Sequence, residues 1–212
     1  MHLKKKIFYL GFTLNQNNMN KLLNLYFLIA MVSINAQVTY IQGGGTLDDW
    51  AHLKKYEKDN MEIKGIDDPN RVVFMGNSIT EGWLYFNKSF FIENPFINRG
   101  IGGQTTPQML IRFKPDVVNL NPKAVVILAG INDIAGNTGP VTIENIAENI
   151  FSMAEIALAN NIEVFICSVL PAADFPWSPG KNPAEKVIKL NSLLKDYCNK
   201  NKLTYVDYYS AM

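Results

Sequence analysis

The feature that most constrains this chain is an alternation beginning near residue 72. Five short strand-like runs are separated by segments with helical period: Val72–Met75, Phe96–Arg99, Lys123–Ala129, Val164–Val169 and Leu203–Val206. Between them, Thr106 and Pro107 suit the N-cap and first residue of a helix carrying Met109, Leu110 and Phe113 on one face. Residues 142–160 repeat Ile143, Ile146, Ile150 and Met153 at helical spacing, and residues 183–200 repeat Val187, Leu190, Leu194 and Tyr197. Apolar runs bounded by glycine read as strands buried on both faces. Strand–helix alternation then implies an α/β three-layer sandwich around a five-stranded parallel sheet. Ligands of such sheets bind beyond the carboxyl ends of the strands, so chemistry is sought there.

Upstream, Asp48 and Asp49 precede Trp50–Glu57, which the pattern predicts as a helix, and Pro69-Asn70 closes that lead-in. Earlier still, Lys21 leads into the apolar run Leu22–Val32, followed by Ser33-Ile-Asn-Ala36. A basic residue, a short apolar run and a small residue at a cleavage position form the pattern of a secretory signal. The run is too short for a comfortable membrane span. Met19 is the expected start of this signal and Ala36 its end, which places the mature protein outside the cytoplasm, secreted or periplasmic, with no stable membrane anchor. Cleavage there removes four of the 20 basic residues and none of the 19 acidic ones, turning a net charge of +1 into −3. With no basic stripe either, nucleic acid is not an expected partner. Cys167 and Cys198 read as buried thiols, and neither has metal-ligand spacing.

Three strand ends carry chemistry-bearing residues: Gly76-Asn77-Ser78, Gly100-Ile-Gly102-Gly103, and Gly130-Ile-Asn132-Asp133. A serine on a tight turn after a strand can act as a nucleophile. A glycine N–H and an asparagine amide can hold the negative oxygen of a tetrahedral intermediate. Singly, each has a plainer reading: helix N-cap, turn glycine, loop cap. Their recurrence after three consecutive strands favours a shared site. Gly100–Gly103 also invites a nucleotide-binding reading, but it lacks the glycine spacing and the lysine of a phosphate loop. Trp83 and Trp177 suit core packing first, and a pocket rim second.

These blocks resemble those of the SGNH (GDSL) hydrolase family, from about Arg71 to Met212. Gly76-Asn77-Ser78 resembles its Gly-Asp-Ser block, Gly103 falls at its oxyanion glycine, and Gly130-Ile-Asn132-Asp133 resembles its Gly-x-Asn-Asp block. Val169-Leu-Pro and Asp174–Pro179 are similar to the acylhydrolase and acetylesterase branch. The resemblance implies a flavodoxin-like fold and a secreted serine esterase that needs no metal or cofactor. Ser78 is then the nucleophile, and the Ser78 and Gly103 N–H groups and the Asn132 amide hold the oxyanion. Asn77, Gly102 and Trp177 are the expected substrate contacts. The implied substrate is an acetyl or short acyl ester, with acetylated carbohydrate among the candidates.

The chain departs from the pattern twice. Asn77 stands where the family has aspartate. The Asp-x-x-His block that supplies the catalytic base is absent: the only histidines are His2 and His52, and Asp207 is followed by no histidine at that spacing. The expected organisation is therefore an extension and signal over 1–36, a helical lead-in over 37–70, and a hydrolase domain over 71–212 lacking its final catalytic block. An uncovered apolar face is expected with it, and little turnover. The alternative is a binding protein that keeps the pocket without catalysis.

Overall fold

The run Val72–Gly76 forms β1, the central strand of the first half of the sheet, in a computed structural model that describes residues 45–212. The expected signal over Met19–Ala36, His2 and the start of the lead-in lie outside the described residues. A 3-10 turn (Leu53–Tyr56) and α1 (Glu57–Lys64) precede β1. There follow α2 (Ser78–Phe86), α3 (Lys88–Ile92), β2 (Phe96–Gly100), α4 (Thr106–Asp116), a 3-10 turn (Val118–Leu120) and β3 (Ala124–Leu128). The chain continues through α5 (Ile131–Ala135), α6 (Ile143–Ala159), β4 (Glu163–Cys167), α7 (Pro183–Asn201) and β5 (Thr204–Val206). All neighbouring strands pair in parallel, in the order β2-β1-β3-β4-β5. The expected α/β sandwich is the observed one.

Alternation along the strands sorts side chains between two faces. Val73, Met75, Val125, Ile127, Val164 and Ile166 point one way and are buried. They join Met109 and Phe113 of α4, Ile146, Ile150 and Met153 of α6, and Val187, Leu190 and Leu194 of α7 in one core. Each such side chain contributes about 1.5–3 kcal/mol by leaving water. On the opposite face Phe74 meets Trp83, Phe90 and Phe91 edge-on, with ring centroids 5.7, 5.7 and 5.5 Å away. Trp83 also stacks on Phe90 at 4.8 Å. Its role is packing. Further along this face Val126 and Phe165 are only half-buried, and with Lys123 and Glu163 they line a groove of about 320 Å³.

Local hydrogen bonding moved three boundaries. The Asp49 carboxylate accepts the N–H groups of Leu53 (2.7 Å) and Lys54 (3.1 Å), so helical structure begins after it, not at Trp50. His52 is held left-handed, with φ 56°, which also interrupts a helix there. Helix α4 is capped by Thr105 rather than Thr106, because Gln108 reaches back to the Thr105 N–H (3.1 Å). Ile131–Ala135, to which the sequence assigns no element, is a short helix. Cys167 and Cys198 are free and buried, and burial pushes their pKa values up to about 12 and about 11. Such thiols are inert at neutral pH.

Candidate active site

Strand register brings the three motifs together. Gly76 lies opposite Gly100 on one side and Leu128 on the other, so the segments leaving β1, β2 and β3 start from one sheet edge. Gly76 has to be glycine: a Cβ there would sit 2.0 Å from the Thr80 Oγ1. This close approach lets the chain turn at once from β1 into α2. Asn77 is buried and caps α2, its Oδ1 accepting the Ile79 N–H at 3.0 Å. The expectation that Asn77 faces substrate gives way to this capping role. It also removes the plainer reading of Ser78, which is not the cap. Ser78 is exposed, is the first helical residue, and makes no side-chain hydrogen bond among the described residues. Its N–H belongs to the first turn, where no intrahelical acceptor exists.

The segment after β2 shows which backbone donor is left over. The Gly100 N–H goes to Asn98 Oδ1 (2.9 Å) and the Ile101 N–H to the Gly76 carbonyl (3.1 Å). The Gly102 N–H goes to Glu81 Oε2 (2.7 Å), and the Gln104 N–H to the Ile101 carbonyl (3.3 Å). Thr105 and Thr106 donate to Gln108 Oε1 (3.1 Å) and Asp133 (2.9 and 3.0 Å). Gly103 alone in this stretch has an N–H with no acceptor among the described residues. Its φ of 76° is a left-handed conformation that glycine adopts freely. Gly102 brings this loop beside the serine, since a Cβ on it would lie 3.7 Å from the Ser78 Cβ.

Two asparagines grip successive carbonyls of the loop. Asn137 donates to the Gly103 carbonyl and Asn132 to the Gln104 carbonyl, each at 2.9 Å. The bond to Gln104 uses one Asn132 amide hydrogen and leaves the other. Asn137 is itself held by the Trp177 indole N–H (3.2 Å). Trp177 is 55% exposed, so it is not the core residue that its type suggested.

Beneath the loop lies Arg112, fully buried. It donates to Gln104 Oε1 (2.5 Å), the Gly76 carbonyl (3.0 Å) and Asp116 (3.0 Å), joining the serine turn to the glycine loop. Arg112, Asn137, Glu81 and Lys55 were not singled out in the sequence. Arg112 and Asp116, four apart on the row that continues from Gln108, were the one visible signal.

Asp133 fixes the start of α4, accepting the Thr106 N–H and its hydroxyl (2.6 Å). Burial raises its pKa from 3.8 to about 6, against the opposing pull of the Thr106 bonds. A carboxyl whose folded pKa is raised favours the fold below its unfolded pKa, and that contribution is lost as pH rises through the folded value. Relative to Asp133→Asn, the wild type should therefore lose up to about 3 kcal/mol between pH 4 and pH 7. Urea unfolding of both proteins at the two pH values measures this, and parallel pH profiles would contradict it.

Neither remaining candidate base reaches the serine. His52 makes no hydrogen bond to Ser78, and its Nδ1 is buried without a partner. Asp207 follows the edge strand β5 and accepts from the Ser210 N–H (3.0 Å) and hydroxyl (2.9 Å).

A doubly wound sheet with a serine turn, a glycine loop and an Asn-Asp helix at one edge defines a class, and the comparisons agree with it. The chain belongs to the GDSL-like lipase/acylhydrolase family, whose model matches residues 74–212. A candidate acylhydrolase from Bacteroides fragilis is 50% identical, with TM-score 0.74 over 77% of this chain and 80% of that one. A GDSL-like lipase from Bacteroides thetaiotaomicron is 47% identical, with TM-score 0.73 over 76% and 80%. The uncharacterized lipoprotein YqeF of Bacillus subtilis is 33% identical over 127 residues, 52% of this chain. The chain spans about half the length of that curated relative (51%).

Proposed function

We propose that this chain carries the nucleophile and oxyanion half of an exported serine esterase acting on acetyl or other short acyl esters. In this reading the Ser78 oxygen attacks the acyl carbon, and the alcohol departs to leave an acyl-serine that water hydrolyses. The developing oxyanion is held by the Ser78 and Gly103 N–H groups and the free amide hydrogen of Asn132. The observation that supports it most is the single unclaimed N–H of Gly103 beside an exposed, uncapping serine. Trp177, exposed at the edge of the same loop, offers a flat surface for the alcohol part, and a sugar ring suits it. Export rests on the Met19–Ala36 pattern and on the similarity to a lipoprotein. No helix among the described residues is long and apolar enough to cross a membrane.

Among the described residues no base reaches Ser78, so the chain by itself should turn over slowly. Imidazole added to the solution can stand in for the missing base. Once the rate that imidazole gives without protein is subtracted, hydrolysis of p-nitrophenyl acetate should show an imidazole-stimulated component that Ser78→Ala removes. A stimulated component that survives Ser78→Ala would refute the reading. Binding of acetylated oligosaccharide with no such component would favour a non-catalytic binding protein. Rates that fall from acetyl to octanoyl esters would fix the short-acyl preference.

A further inference from the structure

The lead-in that precedes β1 lies outside the residues matched by the family model, which begins at residue 74. Its contacts nevertheless converge on the glycine loop. Gln104 and Gln108 donate to the carbonyls of Ala51 (2.8 Å) and Trp50 (2.9 Å). The Tyr56 hydroxyl donates to the Gly100 carbonyl. Burial pushes the Tyr56 pKa up to about 12, so it remains a donor at neutral pH. Arg99 stacks its guanidinium over the Tyr56 ring (4.5 Å) and donates to Asn60 (3.0 and 2.8 Å). Lys55 pairs with Glu81 Oε1, and the other oxygen of Glu81 accepts the Gly102 N–H.

Glu81 is the pivot. It stands one helical turn beyond Ser78 on α2, and its Oε2 would be 3.0 Å from a Cβ on Gly102. By taking the Gly102 N–H it fixes the Ile101–Gly102 peptide plane, one before the plane that carries the Gly103 N–H. Alone, a carboxylate at this place would oppose the negative charge that forms on a nearby oxyanion. Lys55 offsets that charge while holding the carboxylate in position.

We infer that Lys55 and Glu81 are positioning residues for the oxyanion loop, and that the lead-in Trp50–Asn60 is a working part of the site. This rests on the reading of Gly103 as oxyanion donor. Glu81 aims the loop and Lys55 cancels its charge, so the two substitutions are not equivalent. Lys55→Met leaves an unpaired carboxylate beside the site, whereas Lys55→Met with Glu81→Gln leaves a neutral acceptor for the Gly102 N–H.

The test uses the full chain and two readouts: the rate at which a fluorophosphonate modifies Ser78, and hydrogen exchange of the Gly102 amide. Lys55→Met should slow modification about tenfold, a fraction of the loss from deleting a whole oxyanion donor. Lys55→Arg should restore the rate to within about threefold, since it keeps the charge that pairs with Glu81. Adding Glu81→Gln to Lys55→Met should recover part of it. Glu81→Ala should raise Gly102 exchange about tenfold or more while core amides stay unchanged, because its one acceptor is gone. The inference is overturned if Lys55→Met matches wild type at Ser78, if the double variant is slower than Lys55→Met, or if Gly102 exchange is unmoved by Glu81→Ala. If the probe modifies residues other than Ser78, the functional reading fails, and the exchange experiment still decides whether Glu81 holds the loop.

Discussion

Replacing Arg112 with methionine is expected to cost about 3–5 kcal/mol of folding stability, measured as a shift in the urea midpoint at constant slope. The size follows from what is stranded. The guanidinium is wholly buried and pairs with an Asp116 that is also buried. Methionine fills similar space but leaves that carboxylate with Asn60 (2.7 Å) as its remaining side-chain donor. It also leaves Gln104 Oε1 without the donor it had, and the Gly76 carbonyl with the Ile101 N–H as its remaining donor. Asn60 then faces a charge it cannot neutralise. Converting both members, Arg112→Met with Asp116→Leu, should recover part of the loss, because the stranded carboxylate is gone while the buried Arg99 loses its attraction to Asp116. A loss below about 1 kcal/mol for Arg112→Met would mean that Asp116 takes up a proton or finds water at little cost.

Asn132→Ala should lower the rate of Ser78 modification or imidazole-assisted acylation by about 10²–10³-fold, the usual effect of removing one oxyanion donor. The proposed role and the tether to the loop together account for the size of this effect. Asn132 is 4% exposed, sits on the short helix α5, and uses one amide hydrogen to hold the Gln104 carbonyl. In the proposed reading alanine removes both the direct donor and that tether. Asn132→Asp keeps the shape but replaces donors with charge, and should be at least as damaging. Asn137→Ala removes only a tether, to the Gly103 carbonyl, and should cost less than Asn132→Ala. Equal rates for Asn132→Ala and wild type would remove Asn132 from the site.

The sheet was legible because buried parallel strands are written as continuous apolar runs, and Lys123–Ala129 or Val164–Val169 admit few other readings. The backbone of the site was legible for a related reason: glycine, serine and asparagine directly after such runs are where a tight turn and a bare N–H are needed. What stayed hidden depends on contacts between distant segments. Lys55 and Glu81 are 26 residues apart, and each looks like an ordinary exposed helix charge until the fold joins them. Asn137 and Trp177 are 40 apart, and the indole holds the asparagine that reaches Gly103 only because two loops meet. Helix α5 has five residues, too few to display a period. Two acidic residues suggest a helix starting at Trp50, but Asp49 captures the N–H groups of Leu53 and Lys54, so helical structure begins later. Thr105 and Thr106 are equally good caps by type, and Gln108 and Asp133 decide between them.

The central claim is that the turn after β1 presents Ser78 as a nucleophile beside a donor loop. Its most direct test is to treat the full chain with a fluorophosphonate, with and without imidazole, and to locate the adduct by tandem mass spectrometry. One adduct is expected, on the peptide containing Ser78, faster with imidazole, absent in Ser78→Ala and absent after unfolding in urea. Modification scattered over several serines and tyrosines, or equally fast in the unfolded chain, would contradict it.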